Sequence, residues 1–177
     1  KKACDMIGVE MRSVPLTRDY RVDCERYLES VDANTCCMVG IAGTTEYGMV
    51  DPIRSLAAYA RKEGIFFHVD AAFGGMVLPF LKGAPEFDFS LPGVMSIAVD
   101  PHKMGMSTIP AGCLLLRNEK DLCSLSVDTP YLTVKQEFTL SGTRPGGSVA
   151  GALAVLEYLG YEGMAAVVDG CMKNTRR

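Results

Sequence analysis

The chain has 177 residues, of which 48% are hydrophobic and 22% charged, a composition typical of a folded protein with one sizeable core. Its formal net charge of −3 gives no electrostatic reason to expect nucleic acid or a membrane surface as a partner. Apolar runs are short, and none approaches the roughly 20 residues that a membrane span requires. Because the sequence starts at Lys1 and not at Met, we expect an internal fragment of a longer protein.

The cysteines argue against a metal centre. There are seven, without a Cys-x-x-Cys pair, and only two histidines accompany them. This pattern disfavours a zinc site or a redox dithiol, so we predict no bound metal. An odd number at irregular spacing is typical of reduced thiols, and we expect a cytoplasmic protein. Cys36, Cys37 and Cys113 fall in apolar runs and are expected to be small core residues.

The first third of the chain predicts strands and one short helix. Residues 7–14 predict a strand, and residues 24–31 follow at helical spacing with Asp23 as the cap. Residues 36–42 are an unbroken apolar run. Such a run is typical of a strand in a parallel sheet that is covered on both faces.

The middle of the chain predicts a βαβ unit. Asp51 is expected to cap a helix with Pro52 at its first position, and Gly64 is expected to end that helix. Residues 65–69 predict the next strand. A strand, a loop, a helix and a strand within some thirty residues form a βαβ unit, whose crossover should be right-handed.

The last part of the chain predicts two more strands and a long helix. Residues 96–99 and 111–116 predict strands that pair with each other. Residues 148–158 predict a helix that is apolar on most of its surface and therefore buried, with Gly160 interrupting it. The whole pattern predicts an α/β fold with a mostly parallel sheet flanked by helices.

Polar side chains follow three of the predicted strands, at the points where the strands end. Thr45 follows the first, Asp70 ends the second, and Lys103 follows the third. Ligands of open α/β sheets bind outside the carboxyl ends of the strands. We therefore expect these three side chains to converge on one site.

A lysine and an aspartate at neighbouring strand ends can together hold pyridoxal phosphate (PLP). The Lys103 amine would form a Schiff base with the aldehyde, and the Asp70 carboxylate would keep the pyridine nitrogen protonated. Ala72 is small enough for a flat ring to lie against it, although ordinary close packing also explains an alanine there. The Thr45 hydroxyl can bond the phenolic oxygen of the cofactor or simply serve the turn.

Two further residues are candidates for substrate binding. His102 can donate to the phosphate or to the substrate, or it can orient the loop that carries Lys103. Arg144 lies among glycines and is a candidate for the substrate α-carboxylate, because a guanidinium binds a carboxylate through two hydrogen bonds. A solvated arginine at a helix start is the alternative.

Four segments resemble one enzyme family in order and spacing: Gly-Thr-Thr-Glu-Tyr-Gly-Met-Val-Asp-Pro (43–52), His-Val-Asp-Ala-Ala-Phe-Gly-Gly (68–75), Asp-Pro-His-Lys-Met-Gly (100–105) and Ser-Gly-Thr-Arg-Pro-Gly-Gly (141–147). They are similar to the PLP-dependent group II amino-acid decarboxylases of the aspartate-aminotransferase fold (fold type I), and most to their archaeal tyrosine/aspartate subgroup. The resemblance covers nearly the whole chain.

The resemblance implies a role for each matching residue. Lys103 is the Schiff-base lysine, and His102 reaches the phosphate or the substrate. Three residues would contact the cofactor: Asp70 at the pyridine nitrogen, Ala72 on the ring face and Thr45 at the ring oxygen. Residues 128–131 are similar to a mobile loop whose tyrosine, here Tyr131, protonates the substrate carbon after carbon dioxide leaves.

Asp100 departs from the aromatic-amino-acid decarboxylases, which have asparagine at this position. The archaeal subgroup and the related sphingosine-phosphate lyases carry aspartate there. A carboxylate beside a phosphate dianion would be repelled, so we expect Asp100 to turn away or to hold His102.

The resemblance also implies the architecture and the activity. Residues 1–147 would be the C-terminal part of the PLP-binding large domain, and residues 148–177 a helical segment leading to a small domain. The full-length protein is expected to be a homodimer that converts an L-amino acid (tyrosine, aspartate or glutamate) to its amine and carbon dioxide. A PLP-dependent carbon–carbon lyase of the sphingosine-phosphate-lyase kind and an inactive fragment are the alternatives.

Overall fold

Short strands rich in apolar residues form the centre of the structure, a computed structural model that describes residues 1–175. The strands are β1 (Cys37–Ile41), β2 (Phe66–Asp70), β3 (Ser96–Val99), β4 (Cys113–Leu116), β5 (Val127–Asp128) and β6 (Gln136–Glu137). The helices are α1 (Lys2–Ile7), α2 (Cys24–Glu29), α3 (Ile53–Glu63), α4 (Glu119–Cys123) and α5 (Gly146–Thr175). Two short 3-10 helices, Gly74–Met76 and Leu78–Phe80, lie between β2 and β3.

The main sheet has four strands in the order β1-β2-β3-β4. β1, β2 and β3 are parallel, and β4 is antiparallel to β3. β5 and β6 form a separate two-stranded ribbon. The predicted α/β fold with a mostly parallel sheet is therefore confirmed, and the carboxyl ends of β1, β2 and β3 lie at the same edge.

Helix α3 covers one face of the sheet, as its apolar stripe predicts. The stripe is fully buried and consists of Ile53, Leu56, Ala57 and Ala60. Gly64 ends the helix in the left-handed conformation (φ 70°), which confirms the predicted C-cap. The predicted cap at the other end is wrong: Pro52 is the N-cap residue, and the Asp51 carboxylate accepts hydrogen bonds from distant backbone groups instead.

The strand predicted at residues 7–14 is also wrong. Ile7 is the last residue of α1, and Gly8 caps that helix with a φ of 72°. Residues 9–14 have no regular structure. Apolar residues form a strand only where a neighbouring strand accepts their hydrogen bonds, and none of the described strands lies beside them.

Among the described residues, the opposite face of the sheet is open along β1. Along β1, Met38 and Gly40 are buried, whereas Cys37, Val39 and Ile41 are exposed. Burial on both faces was therefore the wrong expectation, because α3 covers only the other face. For the same reason the core positions predicted for Cys36, Cys37 and Cys113 are wrong, since all three side chains are exposed.

Helix α5 runs along the surface, contrary to the predicted burial. Of its apolar residues, Met164 and Val168 are buried, while Val149 and Leu153 are exposed. By length and hydropathy alone, this helix would qualify as a membrane span, since its most apolar stretch has a mean hydropathy of 1.2 and only 11% of that stretch is buried. The short apolar runs in the sequence did not predict such a helix. One such helix is weak evidence, and the predicted break at Gly160 (φ 57°, ψ −167°) divides it into two segments shorter than the roughly 20 residues of a span.

Candidate active site

A cavity of about 410 Å³ lies at the carboxyl edge of the sheet. Thr45, Asp70, Ala72 and Lys103 all line it, so four predicted site residues from three separate segments meet there. The convergence follows from the sheet, because β1, β2 and β3 run in parallel and their following loops leave from one edge. A second cavity of about 280 Å³ lies at the start of α3 and contains none of the predicted residues.

Asp70 occupies the centre of this edge. It is the last residue of β2 and pairs in register with Ile41 on one side and Ala98 on the other. Its Oδ1 accepts the backbone N–H of Ala72 at 3.1 Å. Within residues 1–175, its second carboxylate oxygen accepts no hydrogen bond, so it is available to a cationic partner in the cavity.

Two glycines let the chain segments around the cavity approach at backbone distance. The Gly74 N–H donates to the carbonyl of Ala42 at 3.1 Å, and a Cβ on Gly74 would lie 2.0 Å from that oxygen. Gly43, beside it, has a φ of 97°. This contact fixes the end of β1 against the segment that follows Asp70.

Lys103 lies in the turn that follows β3. Its backbone N–H donates to the carbonyl of Asp100 at 2.9 Å, and its Nζ is 3.0 Å from Asp100 Oδ2. The lysine side chain is 43% exposed. The same carboxylate lies 3.8 Å from Nε2 of His102, so Asp100 holds Lys103 more closely than the histidine that we expected it to hold.

His102 points its ring toward the backbone of the following strand segment. Its Nδ1 accepts the N–H of Ala111 at 3.1 Å, which places the neutral ring's proton on Nε2. His102 is not among the residues that line the cavity. Of the two roles considered for it, this geometry favours orientation of the Lys103 turn.

Tyr131 and Arg144 lie away from the cavity. Tyr131 is 80% exposed in the connection between β5 and β6. Arg144 is exposed just before α5. The structure does not bring either residue to the Lys103 and Asp70 side chains, and their roles stay predictions.

The second histidine lies on the sheet face that also carries Asp70. His68 Nδ1 is 2.7 Å from Oγ of Ser96 on the neighbouring strand. Burial lowers the pKa of His68, and the nearby negative charge of Asp70 acts in the opposite direction. Among the described residues, no group of three or more His, Cys, Asp or Glu side chains is arranged to hold a metal ion.

The residues that line the cavity and that sequence analysis did not select include Tyr20, Glu46 and Tyr47. The two tyrosine rings stack with their centroids 4.0 Å apart and an angle of 17° between their planes. Tyr47 lies close to Thr45 in the loop after β1. Because that loop was already predicted to reach the site, Tyr47 could have been predicted as a lining residue. Tyr20 comes from a distant segment, and no sequence pattern links it to the strand ends.

This mostly parallel sheet, with a lysine and an aspartate at adjoining strand ends around one cavity, is the large-domain architecture of fold type I PLP enzymes. A family model described as the pyridoxal-dependent decarboxylase conserved domain matches residues 1–177. The chain belongs to this family.

Known proteins similar to the chain agree with this assignment. The probable L-tyrosine/L-aspartate decarboxylase of Methanosphaerula palustris is 64% identical over the whole chain, which covers 49% of that protein. The sphingosine-1-phosphate lyase structure from Burkholderia pseudomallei K96243 has a TM-score of 0.88 and 33% identity over 95% of this chain and 40% of that one. The glutamate decarboxylase structure from Lactobacillus brevis has a TM-score of 0.85 and 26% identity over the same shares. The chain spans about half the length of the curated relatives it matches.

The residues around the cavity fit PLP, the cofactor of this family. The cavity offers an amine at Lys103, a hydroxyl at Thr45, a small side chain at Ala72 and an Asp70 carboxylate oxygen that accepts no hydrogen bond from residues 1–175. These are the groups that an aldehyde, a protonated ring nitrogen, a phenolic oxygen and a flat ring require. The chemistry of the donor set therefore matches the cofactor.

Proposed function

We propose that the full-length protein is a PLP-dependent decarboxylase that converts an L-amino acid (tyrosine, aspartate or glutamate) to its amine and carbon dioxide. The meeting of Lys103 and Asp70 at one cavity, on a chain of the pyridoxal-dependent decarboxylase family, carries this proposal. Similar proteins that are named decarboxylases of tyrosine, aspartate or glutamate support the same reaction.

Each residue at the cavity has a defined task in this proposal. When bound, PLP supplies an electron sink for the electron pair left on Cα as carbon dioxide departs. Lys103 anchors the cofactor through Nζ, and Asp70 keeps a proton on the ring nitrogen. Ala72 supports the ring face, and the Thr45 hydroxyl hydrogen-bonds the phenolic oxygen. Enclosure of the cavity from water would favour decarboxylation over side reactions.

Three residues outside the cavity complete the proposed mechanism. Arg144 would hold the substrate α-carboxylate, Tyr131 would return a proton to Cα, and His102 would orient the turn that carries Lys103. Since Tyr131 and Arg144 are exposed, the segments that carry them must close on the cavity for these roles. The support for Tyr131 is the similarity of residues 128–131 to the mobile loop of the family.

The setting of the reaction is also a proposal. We propose a cytoplasmic homodimer with residues 1–147 in the large domain and no nucleic-acid or membrane partner. The net charge of −3 and seven free cysteines support this setting. The open sheet face leaves apolar surface for the remainder of the longer protein or for a second subunit to cover.

The test is the Lys103→Ala variant of the full-length protein. We expect it to lose covalent trapping of PLP by borohydride, seen as a missing mass adduct on the peptide with residue 103, and to release neither amine nor carbon dioxide. Lys120→Ala, which removes an exposed lysine from α4, is the matched control and should behave as the wild type. Continued turnover in Lys103→Ala would refute the proposal.

A carbon–carbon lyase is the second candidate, because the sphingosine-1-phosphate lyase structure has a TM-score of 0.88 and because the family resemblance implies an aspartate at the position of Asp100 in such lyases. Product analysis separates the two reactions. An aldehyde product indicates a lyase, whereas an amine with carbon dioxide indicates a decarboxylase. An inactive fragment remains the alternative for the 177-residue chain alone, and absence of a borohydride adduct on that chain would favour it.

A further inference from the structure

His68 lies two residues before Asp70 on the same face of β2. Burial alternates along this strand: Phe67 and Val69 are buried in the core, whereas His68 and Asp70 are half-buried on the other face. Side chains two residues apart on a strand stand roughly 7 Å from each other on one face. Asp70 lines the cavity and His68 does not. The imidazole therefore lies directly behind the carboxylate, one step further from the cavity.

The row of residues that crosses the sheet behind Asp70 contains one polar pair. In register from β1 to β4, this row is Val39, His68, Ser96 and Leu116. Ser96 is 3% exposed, and its Oγ lies 2.7 Å from Nδ1 of His68. A hydroxyl buried this deeply requires a hydrogen-bond partner, and the histidine supplies it. This hydrogen bond fixes the imidazole ring at its place in the sheet.

Among the described residues, Asp70 is the charged group that acts on His68. Cys37 on β1 places its thiol beside the backbone of His68, and Ser96 on β3 contributes a hydroxyl. Neither group carries a charge near neutral pH. Burial lowers the pKa of His68, and the negative charge of Asp70 opposes this with a smaller effect. The imidazole is therefore neutral near pH 7.

A neutral imidazole behind Asp70 suits the cofactor contact proposed for this carboxylate. A protonated ring nitrogen requires an ionised carboxylate. A polar neighbour stabilises the ionised form, where an apolar side chain would favour the neutral acid. A charged neighbour would instead attract the carboxylate and weaken its interaction with the ring nitrogen. A neutral polar ring that is fixed by Ser96 avoids both effects.

We propose that His68, held in place by Ser96, is a positioning residue for Asp70: it keeps this carboxylate ionised and available to the ring nitrogen of the cofactor. The inference rests on the proposed PLP site and adds two residues that lie outside the cavity. Because neither His68 nor Ser96 lines the cavity, both act through Asp70. Their effect is therefore confined to recognition of the ring nitrogen.

The test compares PLP with 1-deaza-PLP, in which a C–H group replaces the ring nitrogen, by calorimetric binding to the full-length protein. Both ligands carry the aldehyde that reacts with Lys103, so the ratio of their dissociation constants reports the contact with Asp70. We expect the wild type to prefer PLP by about tenfold or more, the gain typical of a hydrogen bond to a charged group. His68→Phe and Ser96→Ala should each reduce this preference severalfold.

Ser124→Ala, which removes an exposed serine just after α4, is the matched control for Ser96→Ala and should keep the wild-type preference. A variant that only loosens the fold weakens the binding of both ligands and leaves their ratio unchanged. If His68→Phe does not fold, Ser96→Ala decides, because it removes a single hydroxyl and leaves the imidazole in the chain.

An unchanged ratio in either folded variant would overturn the inference and leave the decarboxylase proposal intact. A ratio near one in the wild type would also overturn it, and would in addition remove Asp70 from the ring nitrogen. Neither ligand is turned over in these measurements. The result is therefore separate from the Lys103→Ala test, on which the decarboxylase proposal depends.

Discussion

Asp100 holds the ammonium group of Lys103 at 3.0 Å within the single turn that follows β3. The two residues are three positions apart, so the turn itself brings the carboxylate to the amine. The pair orients the Lys103 nitrogen at the cavity and remains in contact with water. It therefore acts on the position of Lys103 more than on the stability of the fold.

We expect Asp100→Asn to change the free energy of unfolding by less than about 1 kcal/mol, because a partly exposed ion pair contributes little to stability. Urea denaturation of the full-length protein measures this change. Asp169→Asn, which breaks an exposed ion pair on α5, is the matched control and should give a similarly small value. A loss of several kcal/mol in Asp100→Asn would show that the pair is a structural element.

Asp51 should be far more important for stability than Asp100. Asp51→Ala removes the acceptor of two backbone N–H groups and leaves both without a partner, so we expect a loss of about 3 kcal/mol. Asp51→Asn keeps one carbonyl oxygen and should lose less. The denaturation midpoints of the two variants measure the difference. Equal midpoints for both variants and the wild type would show that the two hydrogen bonds of Asp51 do not stabilise the fold.

His68 should make stability depend on pH. The unfolded chain takes up a proton at this histidine as the pH falls through about 6.5, whereas burial lowers the pKa in the folded chain and keeps the ring neutral. The unfolded state then binds more protons, so this contribution is complete above pH 6.5 and is lost as the pH falls below it. His68→Gln should flatten the profile of denaturation midpoint against pH in this range. Parallel profiles for the variant and the wild type would exclude His68 as the source.

Gly74 should tolerate no side chain. In Gly74→Ala the new Cβ would lie 2.0 Å from the carbonyl oxygen of Ala42, and backbone must move to relieve the clash. We expect a loss of about 3 kcal/mol or more, with weaker PLP binding because the cavity wall shifts. Gly170→Ala is the control: it lies within α5 with open space around it, and alanine there should stabilise the protein by about 0.5–1 kcal/mol. Thermal denaturation of both variants gives the comparison.

The parts of the structure that follow from local pattern could be predicted from sequence. The apolar run of β1, the stripe of α3 and the glycine that ends it specify a βαβ unit, and parallel strands then require Thr45, Asp70 and Lys103 to meet at one edge. These conclusions need only the period of the apolar residues and the geometry of a parallel sheet.

The parts that depend on distant neighbours could not be predicted. Asp51 before a proline has the pattern of a helix cap, but its carboxylate bonds Val22 and Ile41, which are remote in sequence. The stacking of Tyr20 on Tyr47 likewise depends on where a hairpin docks. The prediction that β1 is buried on both faces was wrong. An apolar run shows that both faces of a strand are apolar, but it does not show which element, if any, covers each face.

The uncovered face of the sheet has a practical consequence for handling the polypeptide. Val39, Ile41 and Phe66 present adjoining apolar side chains to water from two neighbouring strands. Exposed apolar surfaces associate with one another in water, so the 177-residue polypeptide prepared by itself should self-associate as its concentration rises. Light scattering of a dilution series would reveal that behaviour, and cofactor titrations of the isolated polypeptide belong at the dilute end of the series.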